Sequence, residues 1–89
     1  MSINRKAAKR DKNEKEIIEV LRLHGASVFQ LSGKGVPDLL VSYRGKNYLL
    51  EVKSGKGKLT PDQEQFHLDW QGEIHIVRSA DEAVEIIKS

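Results

Sequence analysis

Cysteine is absent from this sequence. That excludes disulfides, thiolate nucleophiles and cysteine-based zinc sites, and it suits a reducing cytoplasm. No apolar run is long enough for a membrane span or a secretory signal, so the expectation is a cytoplasmic chain, not secreted and with no membrane partner. Net charge is small, +2 over 89 residues, so an argument for nucleic acid must rest on where charge lies and not on its sum. There is no internal repeat and no low-complexity tract. No phosphate-binding loop, no dinucleotide fingerprint and no Gly-x-Ser-x-Gly elbow occurs, and no small-molecule cofactor is implied. His24, His67 and His75 do not stand at a metal-ligand spacing.

What is present is enough periodic, apolar sequence for one small folded domain, residues 1–89, with a hydrophobic share of 38%. A chain of this length buries only ~60–65% of its unfolded surface, which makes a homodimer a natural remedy. Residues 1–12 form a basic arm. Arg5, Lys6, Lys9, Arg10 and Lys12 stand against Asp11 alone. The arm reads either as a phosphate contact or as a soluble terminus.

A helix is predicted from Asn13 to His24, with Asn13 as N-cap, Gly25 at C′ and an apolar stripe of Ile17, Ile18, Val20, Leu21 and His24. Ala26 to Leu31 reads as a short strand. The most informative stretch is Gly35 to Lys53, which reads as a β-hairpin with Arg44-Gly45-Lys46-Asn47 at its turn. Thr60-Pro61-Asp62-Gln63 starts a helix, with Thr60 as N-cap, Pro61 at N1 and Gln63 as the N3 partner of a capping box. That helix runs to about Trp70, and Phe66 and Trp70 on one face read as core or interface. Glu73 to Arg78 reads as a strand. Ser79-Ala80-Asp81-Glu82 caps a last helix with Val84, Ile86 and Ile87 inward.

If the hairpin pairs Tyr43 with Tyr48, then Asp38 faces Lys53 and Leu40 faces Glu51. Side chains alternate with period two, so Asp38, Glu51 and Lys53 share one face, with Leu40 and Leu49. Leu39, Val41, Leu50 and Val52 take the other, and apolar residues on both faces imply helices on both sides. Desolvating an unpaired charge is costly, so charges set in apolar strands need a reason. Two readings stand. A divalent cation is held by the two carboxylates beside a fixed ammonium, or Asp38 pairs with Lys53 and Glu51 is solvated.

The order Pro37-Asp38, short hairpin, Glu51-Val52-Lys53 resembles the signature of the PD-(D/E)XK nucleases. The fuller string, Gly35-Val36-Pro37-Asp38-Leu39-Leu40, then Glu51-Val52-Lys53, then Leu59-Thr60-x-x-Gln63, resembles the VRR-NUC (virus-type replication-repair nuclease) branch in its stand-alone form, with many phage and bacterial members. The resemblance spans about Glu14 to Ala83. It implies an α/β fold, the restriction-endonuclease-like αβββαβ core plus a C-terminal helix, with a mixed sheet flanked by helices. It implies a Mg²⁺- or Mn²⁺-dependent endonuclease acting on branched or junction DNA, similar to Holliday-junction resolvases, in a bacterial or infected cell. Flap cleavage and a non-catalytic nucleic-acid-binding module are the alternatives.

On this resemblance Asp38 and Glu51 are metal ligands, joined by the Val52 backbone carbonyl. Lys53 positions water or counters developing charge, and Gln63 faces the site. Helix spacing lands the family's first-helix glutamate on Glu14, whose other reading is a first-turn partner of the helix dipole. Ser32 and Lys34 before the site, and Lys56 and Lys58 after it, are candidate phosphate contacts with Arg5, Lys6, Lys9 and Arg10. The Ser54–Lys58 stretch is expected to be mobile.

Overall fold

The computed structural model describes residues 10–89. The elements are α1 (Glu14–Leu23), β1 (Ser27–Gln30), β2 (Leu39–Tyr43), β3 (Lys46–Val52), α2 (Pro61–Asp69), β4 (Ile74–Val77) and α3 (Ala80–Lys88). This is the expected αβββαβ order with one terminal helix.

One mixed sheet runs β1-β2-β3-β4. The first three strands are antiparallel neighbours, and β4 joins β3 in parallel after the crossover through α2. A parallel neighbour needs such a crossover because a tight turn cannot reverse the chain twice.

Arg44 and Gly45 alone make the hairpin turn, with φ of 51° and 83°. Positive φ at both central residues is the two-residue type I′ pattern, whose twist matches that of paired strands. The expected four-residue turn is therefore corrected: Lys46 and Asn47 already belong to β3. The register moves with it. Tyr43 pairs with Lys46, Val41 with Tyr48 and Leu40 with Leu49, not Tyr43 with Tyr48. Continuing the register by one pair sets Asp38 opposite Glu51 and not opposite Lys53. The displacement is two residues, so every side chain keeps its expected face.

Leu39, Val41, Leu50, Val52 and Val77 point to the face covered by α1 and α3, and all are fully buried there with Ile17 and Leu21. Each such side chain contributes about 1.5–3 kcal/mol relative to exposure. His24, expected on the inward stripe, is exposed instead. It sits past the last turn as the C-cap of α1, with Gly25 in the left-handed region after it. Asn13 does occupy the N-cap position of α1, but its side chain makes no cap bond. Its amide instead donates to the carbonyls of Lys53 (3.1 Å) and Arg78 (2.9 Å).

The opposite face is covered only in part. No residue of α2 is buried. Phe66 and Trp70 stack on each other at 5.5 Å between ring centroids. Trp70 is 47% exposed and Leu40 39%, and Phe29 and Ile76 are exposed on the flanking strands. The expectation of helices on both sheet faces holds for the end nearest Glu51 and not for this apolar strip.

Candidate functional site

Three acidic side chains converge where β2 begins and β3 ends. Glu51 is fully buried, Glu14 is 2% exposed, and the charge of Asp38 acts on both. Asp38 is held from its own side and from the hairpin. Its carbonyl accepts from Leu31 N at 2.8 Å, and its Oδ2 accepts from Val52 N at 2.8 Å. The carboxylate of the Pro-Asp step is thus bonded to the backbone of the Glu-x-Lys step.

Gly35 makes the approach to Asp38 feasible. Its φ is +78°, and a Cβ there would lie 2.5 Å from the carbonyl oxygen of Asp62 in α2. Only glycine combines that backbone conformation with that proximity. The loop before Asp38 therefore packs directly on the start of α2, the helix that carries Gln63.

Gln63 completes its helix cap and also contacts Lys53 and Glu51. The capping box is complete: Gln63 N donates to Thr60 Oγ1 at 3.3 Å, and Thr60 N donates to Gln63 Oε1 at 2.9 Å. The same Oε1 accepts from Lys53 Nζ at 2.7 Å, and Gln63 Nε2 donates to Glu51 Oε2 at 3.2 Å. Lys53 is 8% exposed, and its Nζ stands 4.0 Å from Glu51 Oε2. Neither half of the ion-pair alternative is present: Lys53 bonds to Gln63, and Glu51 is buried away from solvent.

Burial pushes the Glu51 carboxyl up, reinforced by the hydrogen bond and the charge of Asp38, to about 8, against the opposing pull of Lys53. Glu14 is also raised, first by burial and then by Asp38, while Gln30 and Arg10 work the other way. Such shifts are the mark of negative charge crowded into low dielectric.

Arg10 is the cation that answers part of this crowding. Its Nη1 lies 2.8 Å from Glu14 Oε2 and 3.6 Å from Asp38 Oδ1, and its Nη2 donates to Leu31 O at 2.7 Å. Gln30 Nε2 donates to Glu14 Oε2 at 3.0 Å. Arg10 was expected on phosphates; the structure turns its guanidinium inward on two carboxylates instead. Arg5, Lys6 and Lys9 lie outside the described residues.

Glu14 Oε1 and Glu51 Oε1 remain buried without a hydrogen-bond partner among the described residues. No group of three or more His, Cys, Asp or Glu side chains forms a ready cage for a metal among the described residues. A small hard cation does not require one, because it keeps several waters and accepts backbone carbonyl oxygens. The donors fit it: two buried carboxylate oxygens lacking partners, Asp38 beside them, and all-oxygen chemistry.

Ser32, Lys34, Lys56 and Lys58 are exposed on the two loops that flank Asp38 and Lys53 in sequence. Lys34 approaches Asp62 at 3.9 Å, with both groups well exposed, a contact of little energetic weight. The loop after Lys53 is tied down, contrary to the expectation of mobility. Arg78 Nη1 donates to Gly55 O (2.8 Å) and Gly57 O (2.9 Å), and Ser54 Oγ donates to Asp11 Oδ1 (3.0 Å). Gly57 N also closes a turn on Ser54 O at 2.8 Å. Arg78 was read only as the end of a strand, because its partners are backbone carbonyls that no side-chain pattern announces.

His67 was also set aside. It lies four residues after Gln63, on the same face of α2, and its Nε2 comes within 3.9 Å of Glu51 Oε1. That spacing was the available signal.

No family model matches the sequence, and no curated protein does. A solved structure described as a VRR_NUC domain superposes with a TM-score of 0.71 and 28% identity, over 86% of this chain and 91% of that one. In fold and in sequence the chain is thus similar to a VRR-NUC domain, a likeness that supports a nuclease-type domain.

Proposed function

We propose that this chain is a Mg²⁺- or Mn²⁺-dependent endonuclease that hydrolyses phosphodiester bonds in branched DNA, with the four-way junction as its preferred substrate. The observation that carries the metal reading is the buried, partly unpartnered carboxylate cluster. Glu51 is fully buried with Oε1 unpaired, and its carboxyl is raised to about 8 by burial and Asp38. A divalent cation removes that penalty. Asp38, Glu51 and the Val52 carbonyl would hold it, with Glu14 placed to share a second ion. A bound Mg²⁺ or Mn²⁺ would supply acidified water and a polarised phosphoryl oxygen.

The remaining steps belong to the protein. Gln63 bridges Lys53 and Glu51, accepting from Lys53 Nζ and donating to Glu51 Oε2, so the ammonium is held beside the carboxylate at 4.0 Å and within reach of a phosphate bound there. There it orients the attacking water and offsets charge that develops on the phosphate in the transition state. Lys34, Ser32, Lys56 and Lys58 grip the backbone without reading sequence, as structure-selective cleavage requires. Arg5, Lys6 and Lys9 of the basic arm add further phosphate contacts.

A two-fold dimer suits a symmetric junction, since it presents two sites to two strands. The uncovered strip of Phe29, Leu40, Phe66 and Trp70 is an apolar surface of the kind that such a dimer buries. An enzyme of this kind works where DNA is replicated and repaired, in the cytoplasm of a bacterial or infected cell.

The test is cleavage of end-labelled four-way junction, flap, duplex and single-stranded DNA, with Mg²⁺, Mn²⁺ or EDTA. Paired symmetric nicks in the junction, absent in EDTA and with Glu51→Gln, are the expected result. Cutting of flaps alone would keep the metal site and discard the junction. Binding of DNA with no cutting of any substrate would replace the enzyme by a non-catalytic module.

A further inference from the structure

Helix α2 addresses both oxygens of the Glu51 carboxylate from two side chains one turn apart. Gln63 Nε2 donates to Oε2 at 3.2 Å, and His67 Nε2 faces Oε1 at 3.9 Å. Both atoms of the second pair are buried, and neither has a hydrogen-bond partner among the described residues. Two buried polar atoms left unpaired cost about 1–3 kcal/mol each, so an arrangement that keeps them face to face needs a compensating contact. Their separation exceeds the upper limit of a direct N–H···O bond, about 3.2 Å, by less than an ångström. It is short enough for a small rotation of either side chain, or a single trapped water, to complete the bond.

We propose that His67 is a positioning residue of the site, whose Nε2–H donates to Glu51 Oε1 and, with Gln63, fixes the plane of that carboxylate towards Asp38. This rests on the reading above, that Asp38 and Glu51 hold a divalent cation. A ligating carboxylate that is free to turn loses part of its affinity to disorder. One clamped at both oxygens by donors from a single rigid helix presents its remaining lone pairs in a fixed direction. The imidazole reaches Glu51 with a proton on Nε2 in one of its two neutral tautomers, so the clamp does not require a second positive charge next to Lys53.

The experiment is Mn²⁺ binding to the full chain by calorimetry, for the wild type, His67→Met, His67→Gln and Glu51→Gln, with thermal unfolding of each in EDTA. Methionine fills similar space without an N–H, and glutamine restores a donor. Partner-group substitutions around metal ligands typically weaken affinity about 10–100-fold, and that is the expected loss for His67→Met. His67→Gln should recover most of it, and unfolding in EDTA should be little changed by either. Wild-type affinity in His67→Met would overturn the proposal, as would equal losses in the Met and Gln variants, which would make His67 a packing residue. Failure of the wild type itself to bind Mn²⁺ at millimolar concentration would instead remove the metal reading, and the His67 clamp with it.

Discussion

Lys53 donates its ammonium to Gln63 Oε1 at 2.7 Å, the oxygen that also accepts the Thr60 N–H. One amide group therefore closes the start of a helix and anchors a buried amine. The two functions separate by mutation. Thr60→Ala should cost about 1 kcal/mol of stability through the lost cap and leave cleavage nearly intact. Gln63→Ala should cost a similar amount of stability but also lower kcat by about 10–100-fold, because Lys53 and Glu51 both lose their partner. Chemical denaturation beside single-turnover cleavage resolves the pair.

Asp38 presents the same duality in a sharper form. Its Oδ2 accepts the Val52 N–H at 2.8 Å, next to a fully buried side chain. Asp38→Ala would leave that donor unpaired, at a cost of about 1–3 kcal/mol. Asp38→Asn keeps an acceptor and should fold nearly as well as the wild type while losing Mn²⁺ binding and cleavage. Melting curves of the two variants should differ although both are inactive.

The raised Glu51 carboxyl gives pH predictions with a definite sign. Its folded value, about 8, lies above the ordinary 4.5, so the folded state binds this proton more tightly than the unfolded state does. Its contribution to metal-free stability is complete below about pH 4.5 and is lost as pH rises through about 8. Binding of a divalent cation needs the ionised form. Mn²⁺ affinity should therefore climb by up to about tenfold per pH unit below pH 8 and then flatten. Calorimetry in buffers of differing ionisation enthalpy should detect the released proton.

Arg10 supplies positive charge to Glu14 and Asp38 in the metal-free protein. Removing it leaves Glu14, 2% exposed, beside another carboxylate with less to balance it. Arg10→Ala should lower the melting temperature in EDTA and enlarge the rise that Mn²⁺ produces. A smaller rise than in the wild type would show instead that the guanidinium helps to build the metal site.

Arg78→Ala should release the carbonyls of Gly55 and Gly57 and loosen the loop that carries Lys56 and Lys58. Junction binding should weaken about three- to tenfold, since ordering the loop would then cost entropy on binding. Mn²⁺ affinity should stay the same. Fluorescence anisotropy and calorimetry on one preparation would check both.

Much of this site could be read before any coordinates. Asp38, Glu51, Lys53 and Gln63 were placed by three short strings, and their faces by a period of two. A four-residue turn predicts a hairpin register two residues away from the observed one, and the period of two leaves every side chain on the same face. What could not be read was whatever depends on long-range approach to the backbone. Asn13 and Arg78 bond to carbonyls, and carbonyls have no letter in a sequence. Arg10 faces Glu14 and Asp38 although a basic arm suggests solvent or phosphate, and nothing local in the sequence says that one of its residues turns inward. His67 is legible only as the residue one helical turn after Gln63, because a partner to a single carboxylate forms no three-ligand metal pattern.

The crossover between β3 and β4 has a bearing on how the site comes into being. Asp38 and Glu51 meet through a hairpin closed by two residues, a contact that forms early and locally. Gln63 and His67 reach Glu51 only after the chain has left the sheet and built α2, and Arg78 reaches the lysine loop only after β4 has docked in parallel. Pairings of that kind come late, because the loop between them must be closed first. On sequence separation alone, the acidic half of the site should assemble before the half that steadies it. A chain emerging from the ribosome should therefore pair Asp38 with Glu51 before Gln63 anchors Lys53, so that the full set of side chains is in place only in the finished fold.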